Sequence, residues 1–173
     1  MIYTWQYNSP IGKMTMASDG EALIGLWFDG QKYFLGNIKE KCIEKRLALF
    51  EKTVEWLDIY FRGKEPDFMP EILITGTTFR KRVAEIMLTI PYGKTMTYGE
   101  IAEQIASIRH IPKMSAQAVG GAVGHNPISI IIPCHRVVGT HGSLTGYAGG
   151  IEKKIELLKL ENTDMSNLFV PNI

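Results

Sequence analysis

Cys134-His135-Arg136 is the stretch of this sequence whose residue types could do covalent chemistry. A cysteine attacks as the thiolate, and a nearby base or positive field makes the thiolate easier to form. Here an imidazole and a guanidinium follow the thiol directly, in Pro133-Cys134-His135-Arg136-Val137. Adjacent side chains rarely face each other, so His135 would take the thiol proton through a bridging water. The same spacing also fits a buried, inert cysteine, and spacing alone leaves both readings open. The second cysteine, Cys42, sits among Lys39, Glu40, Lys41 and Glu44 and reads as a bystander. Two distant cysteines in a chain that needs no disulfide predict free thiols in a reducing cytosol. Metal ligation is not expected: there is no Cys-x-x-Cys and no His-x-x-x-His, and Cys134 and His135 are adjacent.

The elements that must position Cys134 are legible around it. Ile128-Ser129-Ile130-Ile131-Ile132 is a β-branched run, which predicts a buried strand or extended segment ending at Pro133. Upstream, Thr97-Tyr98-Gly99-Glu100 matches a capping box and predicts a short helix to about Ala106. A second short helix is expected from Ser115 to about Gly124. The pair suggests a helix-turn-helix, with a turn over 107–114 longer than the usual 3–4 residues. The second helix carries Gly120, Gly121 and Gly124, and each interior Gly costs about 0.8–1 kcal/mol relative to Ala. Tight packing would account for that, and so would a smooth face that slides into a nucleic-acid groove. A helix capped at Thr78 should present Phe79, Val83, Ile86, Met87 and Ile90, and a last helix over Ile151–Glu161 should present Ile151, Ile155 and Leu158. Residues 139–150 read as a glycine-rich loop, and 162–173 as a loose tail.

The first part of the chain has a different texture. Strand-like runs at Ile2–Tyr7, Lys13–Ala17 and Ala22–Phe28 are separated by Ser9-Pro10-Ile11-Gly12 and Asp19-Gly20 turns, which predicts an antiparallel meander. Helical spacing follows over Ile43–Phe61, and residues 63–76 form a connector with two prolines and two glycines. The expected architecture is α+β, with a domain at 1–76, a mainly helical domain at 77–163 and a tail at 164–173.

Composition sets the outer limits. The 173 residues are 45% apolar and 21% charged, ordinary for a globular chain. No run of about 18 apolar residues suggests a membrane span, and the N-terminus lacks the pattern of a signal peptide, so a cytoplasmic protein is expected. Net charge is +1. Residues 1–78 hold 9 Lys/Arg against 11 Asp/Glu, and residues 79–173 hold 10 against 7, with all four histidines. That asymmetry fits a weakly basic face on the second half or ordinary scatter.

Several of these motifs, in this order, resemble the O6-alkylguanine-DNA alkyltransferase family. The resemblance rests on Pro133-Cys134-His135-Arg136-Val137 after Asn126-Pro127, and on Pro91-Tyr92-Gly93-Lys94-Thr95 with Tyr98-Gly99-Glu100-Ile101-Ala102. It extends to Ala118-Val119-Gly120-Gly121-Ala122, Gly146-Tyr147-Ala148-Gly149-Gly150, and Ser9-Pro10-Ile11-Gly12 with Gly25-Leu26-Trp27-Phe28. It implies a ribonuclease H-like N-terminal domain and a winged-helix-like C-terminal domain with a helix-turn-helix. It also implies single-turnover transfer of an alkyl group from O6-alkylguanine in double-stranded DNA to Cys134 after base flipping, with O4-alkylthymine as a second candidate substrate. By resemblance His135 is the water-linked base, Glu161 the carboxylate that orients it, Asn126 the amide bracing the turn, and Tyr98 the proton donor to the leaving guanine. Tyr147, Ala148 and Val137 would read the flipped base, and Arg136, Ser115, Gln117, Ala118 and Gly121 would meet DNA or substrate. Gln117 stands where the family commonly carries an arginine that enters the base stack; glutamine is shorter and uncharged. No cofactor and no metal are implied, and a monomer is expected. Three other classes keep a place: a module that binds alkylated DNA without repairing it, a cysteine hydrolase or redox enzyme, and a helix-turn-helix regulator.

Overall fold

β1 (Ile2–Ser9), β2 (Gly12–Ser18) and β3 (Leu23–Phe28) form the expected antiparallel meander, with Trp5 opposite Met16 and Met16 opposite Leu26. The computed structural model describes residues 1–36 and 38–171. The Asp19 carboxylate shapes the second turn by accepting from the Glu21 and Ala22 amides. One helix, α1 (Ala48–Phe61), packs against β1. Ile2, Ala17 and Trp27 form a cluster with Ile24, Phe34, Leu35 and Ile38. Gly25 is needed there: a Cβ would fall 1.9 Å from the Trp27 ring, two residues along the same strand face.

Two features of this unit differ from the sequence reading. The helix begins at Ala48 rather than Ile43, with Leu47 in extended conformation before it. Residues Cys42–Glu44 instead form β4, paired parallel to β1 with Ile2 opposite Cys42. The sheet order is therefore β3-β2-β1-β4, and the sheet is mixed. A three-residue strand held by a partner about forty positions away leaves no periodic trace in its own sequence.

The chain divides into two compact units, 1–75 with 127–131, and 76–126 with 132–173. Residues 127–131 thus pack with the N-terminal sheet, where Pro127 and Ser129 exchange backbone hydrogen bonds with Leu26. This segment, which its β-branched residues predict to be a buried strand or extended segment, is not a continuous strand. Only Ile128 makes a bridge, and Ile131 N–H then bonds back to the Ser129 carbonyl across Ile130, whose φ is +70°. That is a γ-turn in its strained form, with a β-branched residue at its centre. Burial explains the residue types: Ile128, Ile130, Ile131 and Ile132 are all buried.

The second unit is built on α2 (Thr78–Met87), α3 (Tyr98–Arg109), α4 (Ala116–Gly124) and α5 (Ile151–Leu160). Thr77, not Thr78, caps α2 by accepting from the Arg80 amide. The capping box at Thr97 and Glu100 forms in both directions. Helix α3 runs three residues past the expected end, to a left-handed His110. Ser115 caps α4 as its position predicts. Helices α2, α3 and α4 pack on one another through buried Val83, Ile86, Ile101, Ile105, Val119 and Val123. The described tail is not loose. Leu144 and Phe169 bond through their backbones, Phe169 N–H also reaches Gly142, and Met165 and Leu168 cover Val138, Leu144 and Leu158.

Candidate active site

Cys134 opens a single 3₁₀ turn, Cys134–Arg136, and the chain then enters β6 (Val137–Val138). Pro133 (φ −81°, ψ 64°) sits at the centre of an inverse γ-turn in which the Cys134 amide bonds to the Ile132 carbonyl. The Asn126 amide donates to that same carbonyl at 2.9 Å, so one side chain braces the turn from outside. β6 pairs in parallel with β5 (Met96–Thr97), setting Thr97 opposite Val138. Tyr98 begins α3 at the next residue, so this short ladder ties the cysteine turn to the entry of the helix-turn-helix.

Behind the turn lies a buried ion-pair system. His135 is fully buried, and its Nε2 meets Glu161 Oε2 at 2.6 Å. Arg136 grips the same carboxylate with Nε at 2.8 Å and Nη2 at 3.1 Å, and its Nη1 donates to the Ile90 carbonyl. The Gly93 amide also donates to Glu161 Oε1. Burial alone would raise the Glu161 pKa, but His135 and Arg136 overcome it and hold the carboxyl down to about 2. Burial drives the His135 pKa down, against the pull of Glu161. The consistent state is a neutral imidazole that donates Nε2–H to an ionised carboxylate, which leaves the proton off Nδ1.

Cys134 itself is 6% exposed, and burial pushes its thiol pKa up. Three groups work against that: a hydrogen bond from the Asn126 amide, the charge of Lys154, and local backbone N–H groups. Lys154 was not apparent from the sequence. It is fully buried, donating to the Val137 carbonyl at 2.6 Å and the Thr145 carbonyl at 3.1 Å. Burial lowers its pKa to about 8, partly offset by Cys134. Its position was a usable signal: residue 154 lies three after Ile151 and four before Leu158, on the apolar face of α5.

Tyr98 donates its hydroxyl to the Thr145 carbonyl at 3.2 Å, and burial followed by the nearby Cys134 charge pushes its pKa up to about 12. The structure thus brings Cys134, His135, Glu161, Asn126 and Tyr98 into one unit. Val137 joins them through its carbonyl, and Tyr147 and Ala148 lie half-buried in the adjoining loop. The guanidinium of Arg136, a residue that the resemblance sets against substrate or DNA, is bonded to Glu161 and to the Ile90 carbonyl. Ser115, Gln117, Ala118 and Gly121 are grouped separately, on the exposed side of α4. The glycines of α4 are not explained by packing. A Cβ at Gly121 or Gly124 would meet nothing within 4 Å among the described residues, and one at Gly120 only the Tyr98 ring at 3.9 Å.

Fold and site together define a protein that sets one buried, electrostatically supported thiol in a unit carrying a helix-turn-helix. The family described as 6-O-methylguanine DNA methyltransferase, ribonuclease-like domain, matches residues 1–73, and its DNA binding domain matches residues 78–163. A methylated-DNA–protein-cysteine methyltransferase of Mycobacterium tuberculosis is 44% identical over 163 residues, 94% of either chain. One from Methanosarcina acetivorans is 42% identical over 94% of this chain and 99% of its own. The structure of Mycobacterium tuberculosis OGT in complex with DNA superposes with a TM-score of 0.80 at 43% identity, covering 92% of each chain. The chain belongs to the 6-O-methylguanine DNA methyltransferase family.

Proposed function

We propose that this protein repairs alkylated DNA by direct reversal, moving the alkyl group of O6-alkylguanine in a duplex onto Cys134. The observation that carries the reading is the setting of the sulfur: buried, bonded by the Asn126 amide, faced by the Lys154 cation, and backed by the His135–Glu161 pair. An O6-alkyl carbon lies inside the base stack, so the nucleotide must turn out of the helix to reach such a sulfur. The Cys134 proton passes to His135 through a water, and Glu161 stabilises the imidazolium that forms. The sulfur attacks the alkyl carbon in line, a carbon–sulfur bond forms, and the carbon–O6 bond breaks. The departing guanine takes a proton from Tyr98, whose raised pKa keeps the phenol protonated until then. The thioether has no easy return path, so each molecule acts once.

On this reading α4 approaches the duplex with its open glycine face, and Gln117 enters the space the base vacates. Tyr147, Ala148 and the Val137 backbone line the place where the base is read. Arg136 acts at one remove, as the positioning partner of Glu161. The protein acts as a monomer in the cytoplasm and needs no cofactor. Cys42 and Cys134 are both free thiols, which suits a reducing compartment. Among the described residues no helix is long and apolar enough to cross a membrane.

The test is the intact mass of the protein after incubation with duplex containing O6-methylguanine. The mass should rise by one methyl group, at Cys134 only, and Cys134→Ser should gain nothing. Binding without a mass gain would favour a recognition module, and repeated turnover on an ester or peptide would favour a hydrolase; either outcome overturns the reading.

A further inference from the structure

Between Glu103 and Glu152 the sequence contains no acidic residue, yet it holds Arg109, Lys113, Arg136 and all four histidines. Arg136 is neutralised by Glu161, which leaves Arg109 and Lys113 as the lysine and arginine charges of this segment. Both sit at the helix-turn-helix connection, Arg109 in the last turn of α3 and Lys113 two residues before the Ser115 cap of α4. Among the described residues neither forms an ion pair. Lys113 is exposed, as are His110 and Pro112 around it.

The start of the connection is tied back to α3. His110 takes the left-handed conformation that ends α3, and the Ile111 amide bonds back to the Ala106 carbonyl at 3.0 Å. The Arg109 guanidinium lies over the Phe79 ring of α2, 5.3 Å from its centroid. Ile108 and Ile111 are 43% and 37% exposed beside these charges. A cationic turn without an acidic residue, leading straight into an exposed helix start, has the charge complementary to a phosphate backbone.

We propose that the long connection, through Arg109 and Lys113, is a phosphate-binding element that grips the duplex backbone next to the site where α4 enters. It compensates for Gln117, which brings no charge to the interface. This inference rests on the reading of the chain as a duplex-DNA alkyltransferase. It adds that the sequence-independent part of the affinity comes from a turn outside the glycine-rich helix.

Counterion release gives a specific test. Each phosphate contact adds about 0.9 to the slope of log K against log salt on B-form DNA, so removing one shrinks the affinity loss between 50 and 200 mM salt by about threefold. The binding of an O6-methylguanine duplex is measured over that range for the wild type, Arg109→Gln, Lys113→Gln and the double variant. Glutamine is shorter than arginine and uncharged, so Arg109→Gln also gives up the guanidinium that lies over Phe79; Lys113→Gln, on an exposed turn, makes the case without that loss. Each single variant should lower the slope by about one and the double by about two, equally on undamaged duplex. An unchanged slope in Lys113→Gln and in the double variant overturns the proposal. If the wild type gains no mass at Cys134, the alkyltransferase reading fails first and this inference with it. A mass gain with unmoved slopes removes only the phosphate-binding turn.

Discussion

Lys154 donates to the Val137 carbonyl from 2.6 Å, and that bond fixes a cation inside the protein beside Cys134. A buried lysine is expensive to keep charged, as its pKa of about 8 records. Its retention at this point is understandable if the charge has work to do on the sulfur. Lys154→Met should therefore slow alkyl transfer by one to two orders of magnitude, since each pKa unit returned to the thiol is worth about 1.4 kcal/mol. Lys154→Arg should recover part of that rate. The time course of mass gain at Cys134 measures both, and equal rates in Met variant and wild type would remove Lys154 from the chemistry.

Glu161 makes stability fall in acid. Its folded pKa, about 2, lies below the ordinary 4.5, so the unfolded chain binds more protons than the folded one as the pH drops between them. The stabilisation is complete above about pH 4.5 and fades towards pH 2, by about 3 kcal/mol in all. His135, kept neutral by burial, adds a further loss as the pH falls below 6.5. Denaturant unfolding at a series of pH values should show the Glu161→Gln variant less stable than wild type at neutral pH, with the gap closing towards pH 2. A gap that stays constant would mean Glu161 is not ionised in the folded protein.

Gly121 offers a trade between stability and binding. Nothing within the described residues occupies the space of a Cβ there, so Gly121→Ala should raise stability by about 0.8–1 kcal/mol through helix propensity. The same methyl group would stand between α4 and an approaching duplex. The variant should unfold later in denaturant and yet bind DNA several-fold more weakly. Undiminished binding would show that the glycine face is not the contact surface.

Ile130 should break the usual order of substitutions. Replacing a buried isoleucine by alanine costs about 2–5 kcal/mol, and glycine normally costs more than alanine. At φ +70° alanine keeps the backbone strain that glycine does not have. Ile130→Gly should therefore be at least as stable as Ile130→Ala in urea unfolding. A glycine variant clearly below the alanine one would mean the strained turn contributes little.

What could be read in the sequence was what is local. Thr97 and Glu100 are three residues apart and announce their capping box directly; Ser115 does the same for α4. The Cys134-His135-Arg136 run marked a candidate nucleophile, and only the family resemblance set it apart from a buried, inert cysteine. What stayed hidden depends on partners far along the chain. Glu161 meets Arg136 across 25 residues, and only the family resemblance pointed to that carboxylate at all. Lys154 stands next to Lys153, and composition does not show which of two neighbours turns inward. The β-branched run Ile128–Ile132 announced a buried strand or extended segment; the burial holds, but the turn at Ile130 does not show in residue types that suit strands and buried turns alike. The tail looked loose because its anchors, Gly142 and Leu144, lie in a loop that has no periodicity of its own.

The near-complete enclosure of Cys134 bears on how long the protein lasts before it is used. Peroxide oxidises cysteines that are ionised and within reach, beginning with the sulfenic acid. Burial both raises the pKa of this thiol and leaves the residue only 6% exposed, so it works against each condition. Cys42, exposed on the N-terminal sheet, meets oxidants first. An acceptor that can react only once is thereby stored in working order, and the arrival of a damaged nucleotide, rather than the passage of time, decides when it is consumed.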